Sequence, residues 1–238
     1  MKIRVLFDNV PGDTRLEPSW GYSALIETEG GRLLFDTGAD GPILLGNMKA
    51  LDIEPAGITE VAVSHGDWDH TGGLAALIEA GARPRLCLPP CLVETLGRET
   101  GGRAEIVAVK PGMEIIESVF STGEMIAPTD PKKRIEQSLI LDTGKGIVVL
   151  TGCAHPGIVA IAERALELRG GPLLMIMGGF HLLHDDSETI EGVVERLRQL
   201  GVQQVAPSHC TGDEAIAVFA REFGDDFLAS GLGSVVKF

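Results

Sequence analysis

The stretch VAVSHGDWDHTGGL, which starts at Val61, constrains the fold and chemistry of this chain more than any other. It places four potential metal ligands within six residues: His65, Asp67, Asp69 and His70. The apolar run before it predicts a buried strand, and residues two apart in an extended chain share a face. His65 and Asp67 can therefore converge on one ion, while Asp69 and His70 can serve a second ion where the chain turns. The alternative, in which Asp69 caps a helix and the histidines are solvated, explains only one of the four.

The composition narrows the classes of partner that the chain can have. Its 238 residues are 44% hydrophobic and carry a formal net charge of −14. We therefore expect one large α/β domain over residues 1–238, a small-molecule substrate, and neither nucleic acid nor an anionic membrane as the main partner. No apolar run approaches the roughly 20 residues of a membrane span, and none suits a signal peptide, so we expect a cytoplasmic protein with reduced cysteines. The oligomeric state stays open.

The hydrophobic pattern changes twice from strands to alternating strands and helices. The first 38 residues predict strands with a hairpin at Gly30, followed by helices near 41–51, 71–80 and 90–100. Residues 112–151 again predict strands, with a hairpin around Gly144–Gly146, and helices and strands alternate from there to the end. Two such halves predict two mixed sheets packed face to face with helices outside.

The remaining histidines also lie near the ends of predicted strands. His155, His181 and His209 each follow an apolar strand, beside a glycine, and His184 lies just beyond His181. The carboxyl ends of strands in α/β sheets gather into one crevice, where ligands bind. We expect His155 and His209 to join the cluster at this edge and His184 to lie on the surface.

Several motifs together resemble those of a known family. SHGDWDHTGG resembles the HxHxDH signature of the metallo-β-lactamase superfamily, and FDTG and PSHCTG resemble its first and last motifs. TGCAHPGI, GGFHL and HCTG are similar to the branch typified by an archaeal pterin-pathway synthase. The resemblance implies an αββα four-layer sandwich with a site for two divalent metal ions at one edge. Zinc is the first expectation, with manganese or iron as alternatives.

The resemblance also implies roles for the cluster. His65 and Asp67 would hold one ion, Asp69, His70 and His209 would hold the other, and Asp36 would orient the loop that carries them. The superfamily usually has histidine where this chain has Asp67. A carboxylate there resembles the flavodiiron branch and shifts the preference toward harder metals such as iron or manganese.

Two further positions depart from the superfamily pattern. The segment RIEQSL has Glu136 where a histidine ligand is common, and TGC has Cys153 where a bridging aspartate is usual. We therefore expect His155 to supply the missing ligand. Glu136 and Cys153 stay open between metal binding and a supporting role.

The expected activity is metal-dependent hydrolysis of an ester, phosphoester or lactone in a pterin-related or phosphorylated small molecule. His181 is the expected proton donor to the leaving group, or Asp69 where it is not committed to metal. Two alternatives stay open: a non-haem diiron redox protein and a non-catalytic metal-binding module.

Four residues are candidates for contact with the substrate. Lys133, in DPKKRIEQ, could hold a phosphate or carboxylate, or lie in a solvated turn. Arg15 and Trp20 belong to a loop that we expect to overhang the site. Trp20 and Trp68 could stack on a flat ring, although aromatic residues near a site often serve packing.

Overall fold

Two large sheets form the centre of the molecule, and the computed structural model describes every residue from 1 to 238. The strands are β1 (Lys2–Phe7), β2 (Ser23–Thr28), β3 (Gly31–Phe35), β4 (Glu60–Ala62), β5 (Arg85–Leu88), β6 (Glu105–Ala108), β7 (Glu114–Ile116), β8 (Val119–Ser121), β9 (Met125–Ile126), β10 (Ile135–Glu136), β11 (Leu139–Asp142), β12 (Ile147–Thr151), β13 (Leu173–Gly179), β14 (Gln204–Ser208) and β15 (Val235–Lys237). The α-helices are α1 (Gly41–Ala50), α2 (Trp68–Thr71), α3 (Leu74–Glu79), α4 (Val93–Glu99), α5 (Ile158–Arg169), α6 (Ser187–Gln199) and α7 (Asp213–Phe223).

Each large sheet is part antiparallel and part parallel. The first has the order β15-β1-β2-β3-β4-β5-β6 and is parallel from β3 to β6. The second has the order β14-β13-β12-β11-β8-β7 and is parallel from β12 to β14. The short strands β9 and β10 form a separate antiparallel pair. The parallel parts follow from the βα alternation in each half of the sequence.

Three apolar clusters hold four layers together. The cluster between the sheets packs residues such as Val5 and Ile26 of the first sheet with Leu141 and Val148 of the second. A second cluster joins the first sheet to α1, α3 and α4, and a third joins the second sheet to α5, α6 and α7. The predicted αββα sandwich is therefore confirmed. No helix has both the length and the apolar content to cross a lipid bilayer.

One helix differs from its predicted bounds, and the pairing of the last strand was not predicted. The helix predicted near 71–80 is two short helices, α2 and α3, separated by Gly72 and Gly73. A Cβ on Gly73 would lie 2.2 Å from the Thr37 carbonyl oxygen and 2.8 Å from Leu44 Cδ2, so the backbone at this turn packs directly against Thr37 and α1. The last strand, β15, pairs with β1 and so returns to the first sheet, with Lys2 opposite Lys237.

Candidate metal centre

One edge of the sandwich gathers the predicted ligands from strands of both sheets. The carboxyl ends of β3 and β4 in the first sheet meet those of β12, β13 and β14 in the second. The residues placed there are Asp36, His65, Asp67, Asp69, His70, Cys153, His155, His181 and His209. Asp69 and His70 lie in the single turn of the short helix α2, and Glu136 lies on β10.

Five of the six histidines form a continuous row of rings. The ring centroids of His181 and His155 are 4.4 Å apart, and those of His155 and His65 are 4.7 Å apart. His65 and His70 follow at 4.2 Å, and His70 and His209 at 5.2 Å. His181 is exposed at one end, while the other four are buried.

Asp36 and Ser64 fix the orientation of the two central histidines. The Ser64 hydroxyl donates to Asp36 Oδ2 at 2.7 Å, so its oxygen is left to accept from His65 Nδ1 at 2.8 Å. His70 Nδ1 donates to the same Asp36 oxygen at 2.7 Å. This network assigns the proton to Nδ1 of both rings and turns both Nε2 atoms toward the centre.

The outer histidines, His155 and His209, have different partners but are also held through Nδ1. His155 Nδ1 donates to Glu136 Oε2 at 2.9 Å. His209 Nδ1 donates to Asn9 Oδ1 at 2.7 Å, while the Asn9 amide donates to the His209 carbonyl at 3.3 Å and so fixes which amide atom is the oxygen. Partners of this kind are typical of metal-binding histidines, because they hold the ring and raise the basicity of the free nitrogen.

Burial keeps two of these rings neutral. It lowers the pKa of His65 well below the usual range and that of His209 to about 4. Burial also opposes the charge on His70, but the charge and hydrogen bond of Asp36 outweigh it and raise the pKa of His70 to about 9. The Glu136 pKa lies well below its usual range although burial raises it, because the ring and amide of His155 and the amides of Cys153 and Ala154 donate hydrogen bonds to the carboxylate. A cation bound between these rings would meet neutral nitrogen donors at His65 and His209.

The unpaired atoms of the centre fit divalent cations. His65 Nε2 and His209 Nε2 are buried without any hydrogen-bond partner, which is costly unless a ligand completes them. Asp69 Oδ2 lies 3.7 Å from His70 Nε2 and 3.6 Å from His209 Nε2, so these three can share one ion. His65, Glu136 and His155 form a second group whose donor atoms lie within 4.8 Å of one another.

The two positions left open by the sequence differ in this geometry. Both carboxylate oxygens of Glu136 accept hydrogen bonds, Oε1 from the amides of Cys153 and Ala154 and Oε2 from the amide and ring of His155. The arrangement favours a supporting role for Glu136. The Cys153 sulfur, in contrast, lies 3.2 Å from His70 Nε2, among the donors themselves.

Asp67 lies at the rim with a second partner. Its Oδ2 atom is 3.7 Å from His65 Nε2 and accepts a hydrogen bond from Arg134 Nε at 2.8 Å. Arg134 also donates to Asp130 at 2.7 Å, which ties the 127–134 loop to the cluster. Asp67 precedes α2 but makes no side-chain capping bond. It stays a predicted ligand that shares its carboxylate with an arginine.

Two cavities open beside the row of histidines. One, of about 270 Å³, is lined by His65, Asp67, Lys133 and Arg134. The other, of about 300 Å³, has a half-apolar lining that includes His155, His181, Phe180 and Ile158. Thr129 lines the second cavity, so the 127–134 loop borders both.

The residues predicted to contact the substrate differ in their exposure and in their contacts. The Trp20 ring lies 5.1 Å from the His209 ring and is 40% exposed, while Trp68 is 64% exposed on α2. Arg15 pairs with Asp13 in an exposed stretch of its loop. All three stay predictions, as does Lys133.

The sequence predicted that Asp36 orients the ligands, but it missed several other residues that do so. Ser64, Asn9 and Arg134 were not proposed for these roles, and neither was Cys210, which lies buried beside the centre. Ser64 directly precedes the cluster and Asn9 follows an apolar strand, which were the available signals. A hydrogen bond between residues 9 and 209 has no local signature in a sequence.

Comparisons with known proteins agree with this geometry. The model of the metallo-beta-lactamase superfamily matches residues 18–209. The 7,8-dihydropterin-6-methyl-4-(beta-D-ribofuranosyl)-aminobenzene-5'-phosphate synthase of Methanocaldococcus jannaschii is 30% identical, over 100% of this chain and 97% of that protein. A solved structure of a metal-dependent hydrolase of the beta-lactamase superfamily is 29% identical, with a TM-score of 0.85 over 100% of this chain and 99% of the other.

A third comparison concerns the fold alone. The metallo-beta-lactamase fold protein YhfI from Bacillus subtilis superposes with a TM-score of 0.71 at 14% identity, over 99% of this chain and 98% of the other. The resemblance expected from the motifs, including the pterin-pathway branch, is confirmed. The chain belongs to the metallo-β-lactamase superfamily.

Proposed function

We propose that the protein is a hydrolase that holds two divalent cations and uses them to cleave an ester, phosphoester or lactone bond in a small molecule. One observation carries the proposal. Four histidines, which follow the three strands β4, β12 and β14, have Nδ1 occupied by a protein partner, so that Nε2 of each is turned toward a common centre. An arrangement that leaves two of these nitrogens buried and unpaired is expensive without a cation to complete it.

The residues present match the needs of that chemistry. Divalent cations bound by such donors supply Lewis-acid polarisation and activation of water. Glu136 and Asp36 hold the rings in place, and Asp69 contributes the carboxylate between His70 and His209.

His181 is the side chain that we assign to proton transfer. It is exposed, lines the larger cavity and lies beside His155, so it can reach a leaving group that the buried rings cannot. Its backbone lies in the left-handed region at φ 56°, a conformation that is uncommon for residues other than glycine.

For the substrate we propose a phosphorylated or pterin-related metabolite. Lys133 and Arg134 line the smaller cavity beside His65 and offer positive charge in a chain of net charge −14. The name of the 30% identical relative contains both a pterin and a phosphate. Trp20, close to His209, offers a face on which a flat ring can stack.

A second candidate is group transfer to an acceptor other than water. The 30% identical relative is a synthase, whereas the structure with a TM-score of 0.85 is a hydrolase. The two reactions differ in the acceptor of the transferred group. Product analysis in isotopically labelled water separates them, because hydrolysis incorporates the label into one product and transfer to an added acceptor does not.

The first experiment is elemental analysis of protein purified without added metal, compared with His209→Ala and His65→Ala. We expect each variant to lose at least one metal equivalent and turnover of a generic phosphodiester or lactone. His184→Ala is the matched control, because His184 is exposed beyond the centre. Full metal content in His209→Ala would refute the assignment. Redox-active iron with a visible absorption band, without hydrolysis, would favour the diiron alternative, and bound metal without any turnover would favour a binding module.

A further inference from the structure

Two cysteines lie together at the His209 end of the centre, and one of them has no role in the proposed function. Cys153 and Cys210 are both buried and carry free thiols. Their sulfur atoms and a ring nitrogen of His209 all lie within 4.8 Å of one another. Because Asn9 occupies His209 Nδ1, the free nitrogen that faces the sulfurs is Nε2, which is buried and unpaired.

The spacing of the neighbouring donors suits a single cation. Cys153 Sγ is 3.2 Å from His70 Nε2, and Asp69 Oδ2 is 3.7 Å from His70 Nε2 and 3.6 Å from His209 Nε2. Metal–ligand bonds of about 2.0–2.3 Å in a tetrahedral site place the ligand atoms roughly 3.3–3.8 Å apart. The observed separations fall close to that range, so one ion at this position can bind Cys153 and His209 and take its remaining ligands from among Cys210, Asp69 and His70.

The fold makes room for the second sulfur. Cys210 follows His209 in the 3-10 turn His209–Thr211, and its thiol donates to the Cys153 carbonyl at 3.5 Å. A Cβ at Gly179 would lie only 2.7 Å from Cys210 Sγ and 3.3 Å from Cys153 Cα, so the absence of a side chain at Gly179 leaves space for this sulfur beside Cys153.

We infer that Cys210 is a second sulfur ligand, beside Cys153 and His209, and that this position takes a thiophilic divalent cation in preference to manganese or magnesium. The inference rests on the proposed metal-dependent function. Binding releases the thiol protons to solvent as the two metal–sulfur bonds form. Thiolate donors select zinc, and its substitutes cobalt and cadmium, over harder ions. Asp67, the donor that favoured a harder metal, is shared with Arg134 at the opposite rim.

Cobalt substitution tests the ligand set by absorption rather than activity. We expect the cobalt(II)-loaded wild type to show thiolate-to-cobalt charge-transfer absorption in the near ultraviolet. Cys210→Ser and Cys153→Ser should each reduce it by about half, since each removes one of two thiolate bonds. Cys91→Ser is the control, because Cys91 is free and exposed and belongs to none of the donor groups. Undiminished absorption in Cys210→Ser would overturn the inference.

The zinc-loaded wild type provides a test that needs no variant to fold. X-ray absorption at the zinc edge should find two sulfur scatterers per chain at about 2.3 Å. One sulfur or none per chain would overturn the assignment of Cys210. Absence of hydrolysis with both sulfurs present would refute only the proposed activity, whereas hydrolysis with fewer than two would refute only this inference.

Discussion

At the scale of single residues, the centre depends on which nitrogen of each histidine is occupied. Ser64, Asp36, Glu136 and Asn9 each take one Nδ1–H group, and they are chemically different acceptors. A hydroxyl and an amide leave the ring neutral, whereas a buried carboxylate such as Asp36 also favours the protonated ring. A cation would therefore compete with the proton that Asp36 favours on His70, whereas burial already disfavours a proton on His65 and His209.

The first residue-scale prediction separates Glu136 from His155. His155→Ala removes a free nitrogen and should abolish binding of the ion that it shares with His65. Glu136→Gln should weaken the binding of that ion by about 10–100-fold, which is the usual effect of losing a residue that orients a ligand. The glutamine NH2 group cannot accept, so either the His155 amide and ring or the Cys153 and Ala154 amides lose their acceptor, and the ring loosens. Isothermal titration of chelator-stripped protein with zinc measures both. Equal losses in the two variants would make Glu136 a direct ligand.

The second prediction concerns the rim carboxylate. Asp67→His replaces an oxygen donor by an imidazole and breaks the bond from Arg134 Nε. We expect its preference for zinc over manganese to rise by about tenfold, because imidazole suits zinc better than manganese. Competition titrations in wild type, Asp67→His and Arg134→Gln give the comparison. If Arg134→Gln shifts the preference as much as Asp67→His does, the arginine rather than the donor type controls this position.

At the scale of elements, Asp8 is a buried acid that directly follows β1 and lies beside Ser208 at the end of β14. Burial raises the pKa of Asp8 to about 7, and its Oδ2 atom has no hydrogen-bond partner. Between about pH 4 and pH 7 the folded chain holds a proton on Asp8 that the unfolded chain has lost. The contribution of Asp8 to stability therefore falls as the pH rises through this window and levels off above it.

We therefore expect Asp8→Asn to increase the free energy of unfolding of the metal-free protein in a pH-dependent way. The variant should match the wild type near pH 4 and exceed its free energy of unfolding by up to about 4 kcal/mol at pH 8. The asparagine oxygen can still accept from the Val10 amide, as Asp8 Oδ1 does at 2.8 Å. Urea denaturation at both pH values measures the gap. A difference that does not change with pH would contradict the buried charge as its cause.

The turn after β12 gives a second element-scale prediction. A Cβ on Gly152 would lie 2.7 Å from Ser64 Cβ and 2.9 Å from Asp36 Oδ2, where the network behind His65 leaves no space. Gly152→Ala should destabilise the protein by about 1–3 kcal/mol through overpacking, and weaken metal binding with it. Gly192→Ala is the control: nothing lies within 4 Å of its Cβ on α6, and it should stabilise by ~0.5–1 kcal/mol. Thermal unfolding of both variants decides between these outcomes.

At the scale of the whole molecule, the sequence predicted what repeats locally and missed what joins distant parts. The two β-to-βα halves, the hairpin at Gly30 and the histidines at strand ends follow from periodicity and from motif spacing. The return of β15 to the first sheet does not, because a three-residue strand carries no mark of its partner. The same holds for the Arg134–Asp67 bond and for the sulfur of Cys210, which tertiary packing alone brings to the centre.

The Asn9–His209 hydrogen bond has a consequence for how the protein is made. It joins residues that are 200 positions apart in the sequence. Until the chain through His209 has left the ribosome, the position that His209 completes does not exist, although His65, Asp69 and His70 have already emerged. A nascent chain at that stage therefore presents only an incomplete set of the proposed ligands to the metal pool of the cell.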